Sequence, residues 1–257
     1  MTFETPLPQT LAALQAELAA AHRQIAAMAA AQEDFLRGVS HDLRAPLRHV
    51  TSYGALVREL LQELPAAQHP QVVEALDFLA TMEQSARRMA LMIDGLQAIS
   101  RAQRAPLRLQ ALDLGAAVQQ ARAALGAAAD GPQWHVSPAM PAVQADGALF
   151  AQLLHQLLAN ALKFSRGVVK PCITIDARAS GQGCVHISVQ DNGVGFDGAR
   201  AQQLFGVFQR MHRESDFEGV GAGLALCQAI AQRHGATISA TAQPGAGCSI
   251  HLDWPAA

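Results

Sequence analysis

From Leu11 to Val39 apolar residues recur at alternating steps of three and four, and no proline stands between Pro8 and Pro46. Leu11, Leu14, Leu18, Ala21, Ile25 and Met28 open the series, and the same spacing runs on through Gln32 to Phe35 and Val39. Such a repeat puts one narrow apolar seam along a helix. A seam that narrow suits a second helix better than a broad core. The spacing therefore predicts a single long helix entering from the N-terminus, paired over residues 9–34 in a parallel two-stranded coiled coil.

A second pattern lies on the same helix, in Phe35-Leu36-Arg37-Gly38-Val39-Ser40-His41-Asp42-Leu43-Arg44-Ala45-Pro46-Leu47. Leu36, Val39, Leu43, Leu47 and Val50 form an apolar stripe expected to face a core. His41 lies about 200° around the helix from Val39, so it is expected to face solvent. Arg37, Arg44 and Arg48 share its face at steps of three and four. Asp42 follows directly, and a carboxylate beside a histidine can fix its tautomer and make it a better nucleophile. Arginines on that face favour an anion or phosphate. Pro46 cannot donate to the carbonyl of Asp42 and is expected to kink the helix.

The helix should run to about Leu64, where Pro65 and Pro70 bracket a short connection. A second helix follows, with Val72, Leu76, Leu79, Met82, Ala86, Met89, Ile93 and Leu96 as its inward stripe. Met82, Met89 and Met92 read as core fillers. Abundant alanine and only 5% aromatic residues suit long helices with small side chains. Two helices joined by a short loop make an antiparallel hairpin. One hairpin buries little surface, so two are expected to pair as a dimeric four-helix bundle.

Arg101–Arg108, with Pro106, reads as a linker, and the pattern then changes. Helices are expected over Asp113–Leu125, Asp146–Phe164 and Leu224–His234, with strands and turns over 133–145. Residues 172–176 and 185–189 alternate with period two around Ser180-Gly181-Gln182-Gly183, a hairpin signal. Residues 237–242 and 248–252 read as strands joined by Pro244-Gly245-Ala246-Gly247. The second half is thus expected to be an α+β two-layer sandwich, an antiparallel-rich sheet with helices on one face.

Composition narrows the function. The chain has 257 residues, half of them hydrophobic, enough for one large or two ordinary domains. Nineteen basic against 21 acidic side chains give a net charge of −2, which argues against a nucleic-acid surface. Cys172, Cys184, Cys227 and Cys248 form no CxxC pair and have no histidine at metal-ligand spacing, so they read as reduced thiols. No window approaches about 18 uninterrupted apolar residues, so no membrane span is expected. With no signal pattern either, a cytoplasmic location is expected.

The chemistry in the second half gathers in three short segments. The helix ending at Phe164 carries Asn160 and Lys163 on one face, with Gln156 one turn before Asn160. An amide oxygen suits Mg²⁺ that also takes phosphates and water, and Lys163 can meet a phosphate. Asp191-Asn192-Gly193-Val194-Gly195-Phe196 follows a strand, placing a carboxylate acceptor beside two glycines. Glu218-Gly219-Val220-Gly221-Ala222-Gly223-Leu224 opens a helix, where backbone N–H groups can cradle phosphates. This is neither the dinucleotide GxGxxG nor the Walker GxxxxGK spacing.

In this order the segments resemble the sensor histidine kinases of two-component systems, over about Ala31 to Pro255. Ser40-His41-Asp42-Leu43-Arg44-Ala45-Pro46-Leu47 is similar to the family's phosphoacceptor box. Asn160 matches its magnesium-binding asparagine and Asp191 its adenine-binding aspartate, with Gly193 and Gly195 beside it. Gly219, Gly221 and Gly223 match the glycines that close the ATP lid. Leu204-Phe205-Gly206-Val207-Phe208-Gln209-Arg210-Met211-His212 looks like the phenylalanine box in the form found in phytochrome-like kinases. Its Arg210 corresponds to an arginine that meets the terminal phosphate. Lys163, Phe164 and Leu224 complete the expected nucleotide-binding set. The resemblance implies a helical dimerisation and phosphotransfer domain followed by a GHKL-type ATP-binding sandwich.

The chain departs from the pattern at Gln156, usually asparagine, at Ala45, often threonine or asparagine, and at Ala236, where glycine is common. His22, His49, His69, His135, His155, His186 and His251 match nothing in the family and read as structural or surface residues.

The resemblance implies that His41, with Asp42 taking its proton, attacks the γ-phosphate of ATP held with Mg²⁺ on Asn160. The phosphate then passes to a response regulator receiver domain docked around His41. The expected organisation is a signalling helix over 1–34, a phosphotransfer domain over 35–104 and an ATP-binding domain over 109–257, working as a homodimer. No sensor domain is recognisable, so the signal is expected through the N-terminal helix from an upstream sensor partner or a missing piece. Whether phosphate moves within or between subunits turns on the connection Pro65–Pro70, whose handedness the sequence does not give. Two rival readings are a degraded kinase that only binds, and a GHKL ATPase that hydrolyses ATP to water. Intact His41, Asp42, Asn160 and Asp191 argue against the first. The second needs a carboxylate base where Gln156 stands.

Overall fold

A computed structural model describes residues 11–64, 70–181, 183–213 and 215–257, with the side chain of His41 and most others over 24–41 outside the described set. Helix α1 spans Leu11–Gln62 and helix α2 spans Pro70–Arg104. They lie antiparallel, and α1 runs unbroken through residues 34 and 35. Pro46 sits inside α1 without ending it. The connection between Pro65 and Pro70 lies outside the described residues. No described helix is long and apolar enough to cross a membrane.

The hairpin is held by a seam and by charge. Val72, Leu79, Ala86 and Ile93 are buried at steps of seven along α2, and Leu47 of α1 packs against Ala86 and Ile93. Buried Glu83 pairs with Arg58 of α1 at 2.7 Å and with Arg87 one turn on at 3.1 Å. A buried carboxylate without those partners would be costly, so the pair fixes the register of the hairpin. Arg44 donates to Asp94 at 2.7 Å and to Gln97 at 2.6 Å.

Two expectations need correction here. Met82 and Met89 are exposed, as are Leu43 and Val50 of the expected inward stripe. A heptad seam covers only one side of each helix. In one hairpin the remaining apolar residues therefore lie on a second, uncovered face. Arg44 is also not on a purely solvent face, because its long side chain reaches across to α2.

Strand β1 (Leu109–Leu112) follows α2 after four residues and pairs antiparallel with β3 (Val143–Asp146). The sequence suggests a linker over 101–108; the helix in fact continues to Arg104. Helix α3 (Leu114–Ala123) is capped by Asp113, whose carboxylate accepts from the backbone N–H of Ala116 at 2.9 Å. The main sheet has the order β2-β4-β5-β7-β6. Its strands are β2 (Gln133–Val136), β4 (Cys172–Ala179), β5 (Cys184–Asp191), β6 (Thr237–Gln243) and β7 (Gly247–Pro255). The β2–β4 pair is parallel and the rest are antiparallel.

Helices α4 (Gly147–Phe164) and α5 (Gly223–Arg233) cover one face of the sheet, as the alternation of its strands predicts. Ile173, Ile175, Val185, Ile187 and Leu252 point into that layer and are fully buried. Asp146 caps α4 through the N–H groups of Ala148 and Leu149. Trp254 is fully buried, donates from Nε1 to the Gln144 carbonyl at 3.1 Å, and meets Phe150 edge-on at 4.9 Å. His234 also packs against Trp254, at 4.8 Å between ring centroids, with Nδ1 on the Ile230 carbonyl, while Nε2 accepts from the Asp146 N–H at 3.0 Å. Those two bonds require the tautomer with the proton on Nδ1.

The end of α2 belongs physically to this second unit. Ile99 and Ala102 are buried in the core of the sandwich. Arg233 of α5 donates to the carbonyls of Ala105 at 2.8 Å, Ala102 at 3.4 Å and Gln103. These satisfy carbonyls that a helix end leaves unpaired.

Candidate functional site

A cavity of ≈ 440 Å³ opens between α4, the end of β5, the segment 204–224 and the start of α5, with α2 as a further wall. The apolar stripe of α4 decides which of its residues reach that cavity. Phe150, Leu153, Leu154 and Leu158 are buried in the core and do not border the cavity, whereas Gln156, Asn160 and Lys163 do, together with the buried Leu157 and Ala161. Phe164, Asp191, Gly195, Arg210, Gly219, Gly221, Gly223 and Leu224 line it too. The residues expected to bind nucleotide, scattered in sequence from Asn160 to Leu224, thus converge on one hollow. Gly193 is not a wall residue; it packs behind the wall, against the carbonyl of Phe164 and the carboxylate of Asp191.

Asp191 is buried, and its Oδ1 accepts from the Gly193 N–H at 2.9 Å. Burial pushes its carboxyl above the ordinary carboxylate range, opposed by backbone hydrogen bonds from Gly193 and Cys248. It is a strong acceptor in a mostly apolar hollow. Gly195 has φ 58°, and a side chain there would strike the carbonyl of Gln243. Gly221 has φ 77°, and its added Cβ would lie 2.6 Å from the Gln209 carbonyl. Both positions need glycine for conformation and for room. The side-chain oxygen of Gln156 lies against Gly223, so the two segments meet where the sequence departs from the family pattern.

The mouth of the cavity is cationic. Lys163 Nζ donates to the Glu218 carbonyl at 3.4 Å and sits 4.3 Å above the Phe164 ring. Burial pulls its ammonium below the usual lysine value, opposed by Glu218. Arg166 pairs with Glu218 at 2.6 Å and holds that carboxyl below its usual range. Arg210 donates to the carbonyls of Phe217 at 2.6 Å and of Gly219. Its guanidinium therefore ties the two ends of the segment 210–219 together at the cavity wall.

Several contacts here have no signature in the sequence. The rings of Phe164, His212 and Phe217 form a triangle with centroids 5.0–5.4 Å apart. Burial lowers the His212 pKa, so the ring is neutral near pH 7. Phe164 and His212 fall in segments the sequence singles out, but nothing there joins them to Phe217, since a ring cluster built from distant segments leaves no local pattern. Cys248 lines the cavity beside Asp191, and burial pushes its thiol up to about 12. Leu91, Asp94, Gly95 and Ala98 of α2 complete the wall.

Among the described residues, none of α1 lines the cavity. His41 lies on that helix about one turn before Arg44, which is bound to Asp94, and Asp42 follows His41 directly. Among the described residues no cluster of three His, Cys, Asp or Glu side chains exists. A lone amide such as Asn160 fits a hard cation that arrives with phosphates and water better than one caged by protein.

Comparison with known proteins agrees with this geometry. Residues 31–105 match the family model described as His Kinase A (phospho-acceptor) domain. Residues 145–257 match the model of histidine kinase-, DNA gyrase B-, and HSP90-like ATPase. The phytochrome-like protein Cph1 of Synechocystis sp. is 30% identical over 241 residues, covering 93% of this chain and 31% of its own length. The sensor histidine kinase TrcS of Mycobacterium tuberculosis is 33% identical over 222 residues, covering 84% of this chain and 42% of its own length. The chain thus spans less than half of either relative. The crystal structure of full-length ShkA in complex with AMPPNP has the same fold, with a TM-score of 0.60 at 23% identity over 87% of this chain and 46% of that one.

Proposed function

The chain belongs to the sensor histidine kinases of two-component systems, and from that membership we propose that it transfers the γ-phosphoryl group of ATP to His41 and then to an aspartate of a response regulator. The observation that carries this reading is the convergence of Asn160, Lys163, Asp191, Gly221 and Gly223 on one cavity, walled by the helix that is bound to the acceptor turn.

Each residue has a distinct task. Asp191 accepts from the exocyclic amine of adenine, and the buried carboxylate is oriented for it by Gly193. Phe164 offers a ring face beside that position. Lys163, Arg210 and the N–H groups at the start of α5 surround the phosphates. A bound Mg²⁺ supplies charge neutralisation on the transferring phosphates, and Asn160 is the residue to hold it. One ring nitrogen of His41 forms the new N–P bond, and the P–O bond to the departing ADP breaks. The proton on the other ring nitrogen goes to Asp42. We propose the division into a signalling helix over 1–34, a phosphotransfer domain over 35–104 and an ATP-binding domain over 109–257. A response regulator receiver domain then docks on the hairpin around His41, and an upstream partner signals through the N-terminal helix.

The uncovered apolar face of the hairpin supports a homodimer. Leu43, Val50 and Val57 are exposed at steps of seven along α1, with Leu64 exposed just past its end, and Phe78, Met82 and Met89 are exposed on α2. An apolar row of that spacing fits a second hairpin. The chain is expected to sediment as a dimer at micromolar concentration. Val50→Glu with Val57→Glu should weaken the dimer at least about tenfold, or ~1.4 kcal/mol. Deleting residues 1–30 should weaken it without producing a monomer. A monomeric wild-type chain would refute the bundle.

Ala45 is exposed on α1, one turn beyond His41. In the family a polar side chain there orients the water that attacks the regulator's aspartyl phosphate. Alanine has no hydrogen-bonding group to do so. Phospho-regulator is therefore expected to decay slowly with the wild type. Ala45→Thr should speed decay on the order of tenfold or more while leaving autophosphorylation unchanged. The check is decay of purified phospho-regulator with ADP removed; rapid decay with the wild type would contradict it.

A further inference from the structure

One ion pair joins the acceptor turn to the wall of the nucleotide cavity. Arg44 of α1 donates from one nitrogen, Nη2, to Asp94 Oδ1 at 2.7 Å and to Gln97 Oε1 at 2.6 Å. Asp94 lines the cavity that Asn160 and Lys163 also line. Its neighbour Gly95 lies against Ala222, where an added Cβ would be 2.5 Å from the Cβ of Ala222. Ala222 stands between Gly221 and Gly223, in the turn whose N–H groups the kinase reading gives to the phosphates. The Asp94 carboxylate thus borders the phosphate end of the hollow, where Lys163 and Arg210 supply cations. Bare, it would repel the phosphates of a nucleotide. Paired with Arg44, its charge is largely cancelled.

Arg44 also stands three residues after position 41 on an unbroken helix. Residues three apart are neighbours on a helix surface. A phosphoryl group on residue 41 therefore brings negative charge and strong acceptor oxygens within reach of the Arg44 guanidinium. The present partners hold that guanidinium loosely. The side chains of Arg44 and Asp94 are 45% and 61% exposed, and an ion pair so open to solvent is easily exchanged.

We infer that Arg44 is a charge switch between the acceptor and the nucleotide cavity. In the unphosphorylated chain it neutralises Asp94 and keeps the cavity receptive to nucleotide. Once His41 carries phosphate, Arg44 turns to that phosphate and leaves Asp94 bare against the nucleotide. This rests on the kinase reading above and adds a regulation of the same site. A chain phosphorylated on His41 holds nucleotide more weakly in its own cavity, whichever chain's ATP supplied the phosphate.

The test is calorimetric titration of the full-length chain with Mg²⁺ and AMPPNP, which does not donate its terminal phosphate. It is run at about 10 mM ionic strength, where the Debye length is about 30 Å. Arg44→Gln is expected to weaken binding about threefold, the scale of an exposed ion pair. Arg44→Lys restores the charge and should bind close to wild type. Arg44→Gln combined with Asp94→Asn should also recover, because no bare carboxylate remains. Wild type phosphorylated with ATP and then freed of nucleotide by desalting should bind about threefold more weakly than before. Raising the salt to about 1 M, where the Debye length is roughly 3 Å, should erase these differences. A loss caused by a disturbed helix would survive the salt and would not be rescued by the second substitution. Arg44→Gln that binds like wild type, a double variant as weak as Arg44→Gln, or phosphorylated wild type with unchanged affinity would each overturn the inference. A wild-type chain that binds AMPPNP but takes up no label from γ-labelled ATP would remove the kinase reading instead. The Arg44 and Asp94 variants, which need no transfer, still decide the pair.

Discussion

His41→Gln is expected to abolish phosphoryl transfer to the protein, with loss of at least about a thousandfold, while ADP affinity changes less than about twofold. The proposed acceptor lies on α1, and the proposed nucleotide cavity is built from α4, β5, α5 and one side of α2. Among the described residues, the cavity wall takes none from α1. Glutamine keeps a polar side chain of similar length and has a good helix propensity, so α1 should persist. Calorimetric titration with ADP and a labelling assay on the same preparation check both halves. Lost nucleotide binding in this variant would mean that acceptor and cavity are not separate sites.

Asp191→Asn is expected to weaken ADP binding by on the order of 2–3 kcal/mol, a loss of tens- to a hundredfold, and to remove labelling with it. The carboxylate is buried, lines the cavity and is already oriented by the Gly193 N–H, so it is an acceptor the cavity offers to a ligand. An asparagine can present an N–H₂ where the ligand also donates. The sign of the pH effect follows from burial. The Asp191 carboxyl sits above the ordinary carboxylate range, so as pH falls it gains a proton earlier than an exposed aspartate. ADP affinity of the wild type should begin to drop above that range. The ligand-free fold should behave oppositely. Its ionised Asp191 is penalised at neutral pH, a penalty that acid relieves, so Asp191→Asn without nucleotide should melt no lower than the wild type. A large drop in melting temperature would show that the carboxylate is structural.

The parts of this fold that follow a local rule were legible in the sequence. The long helix, the strand pair around 180–183 and the capped starts of α3 and α4 each have a period or a capping aspartate to announce them. The segments that converge on the cavity were legible because glycines and a strand-end aspartate mark a turn that must approach something closely. Contacts between distant segments were not legible. Met82 and Met89 look like core by spacing, yet one hairpin has only one seam, and they lie outside it. Arg44 looks like a surface residue, yet its length lets it cross to Asp94. Strand β1 is too short and too exposed to show a period, and only its pairing with β3 defines it. The most consequential omission was α2 as a cavity wall. Gly95 has no motif around it, and its meaning appears only when Ala222 is found against it.

The central claim is that this chain carries phosphate on His41. Incubating the wild-type protein with Mg²⁺ and γ-labelled ATP, then following label through acid and alkali, tests it most directly. A phosphohistidine is lost in acid and kept in alkali, so the account predicts acid-labile, alkali-stable label that maps to the peptide containing His41. Label that survives acid, or release of free phosphate with no label on the protein, would contradict it.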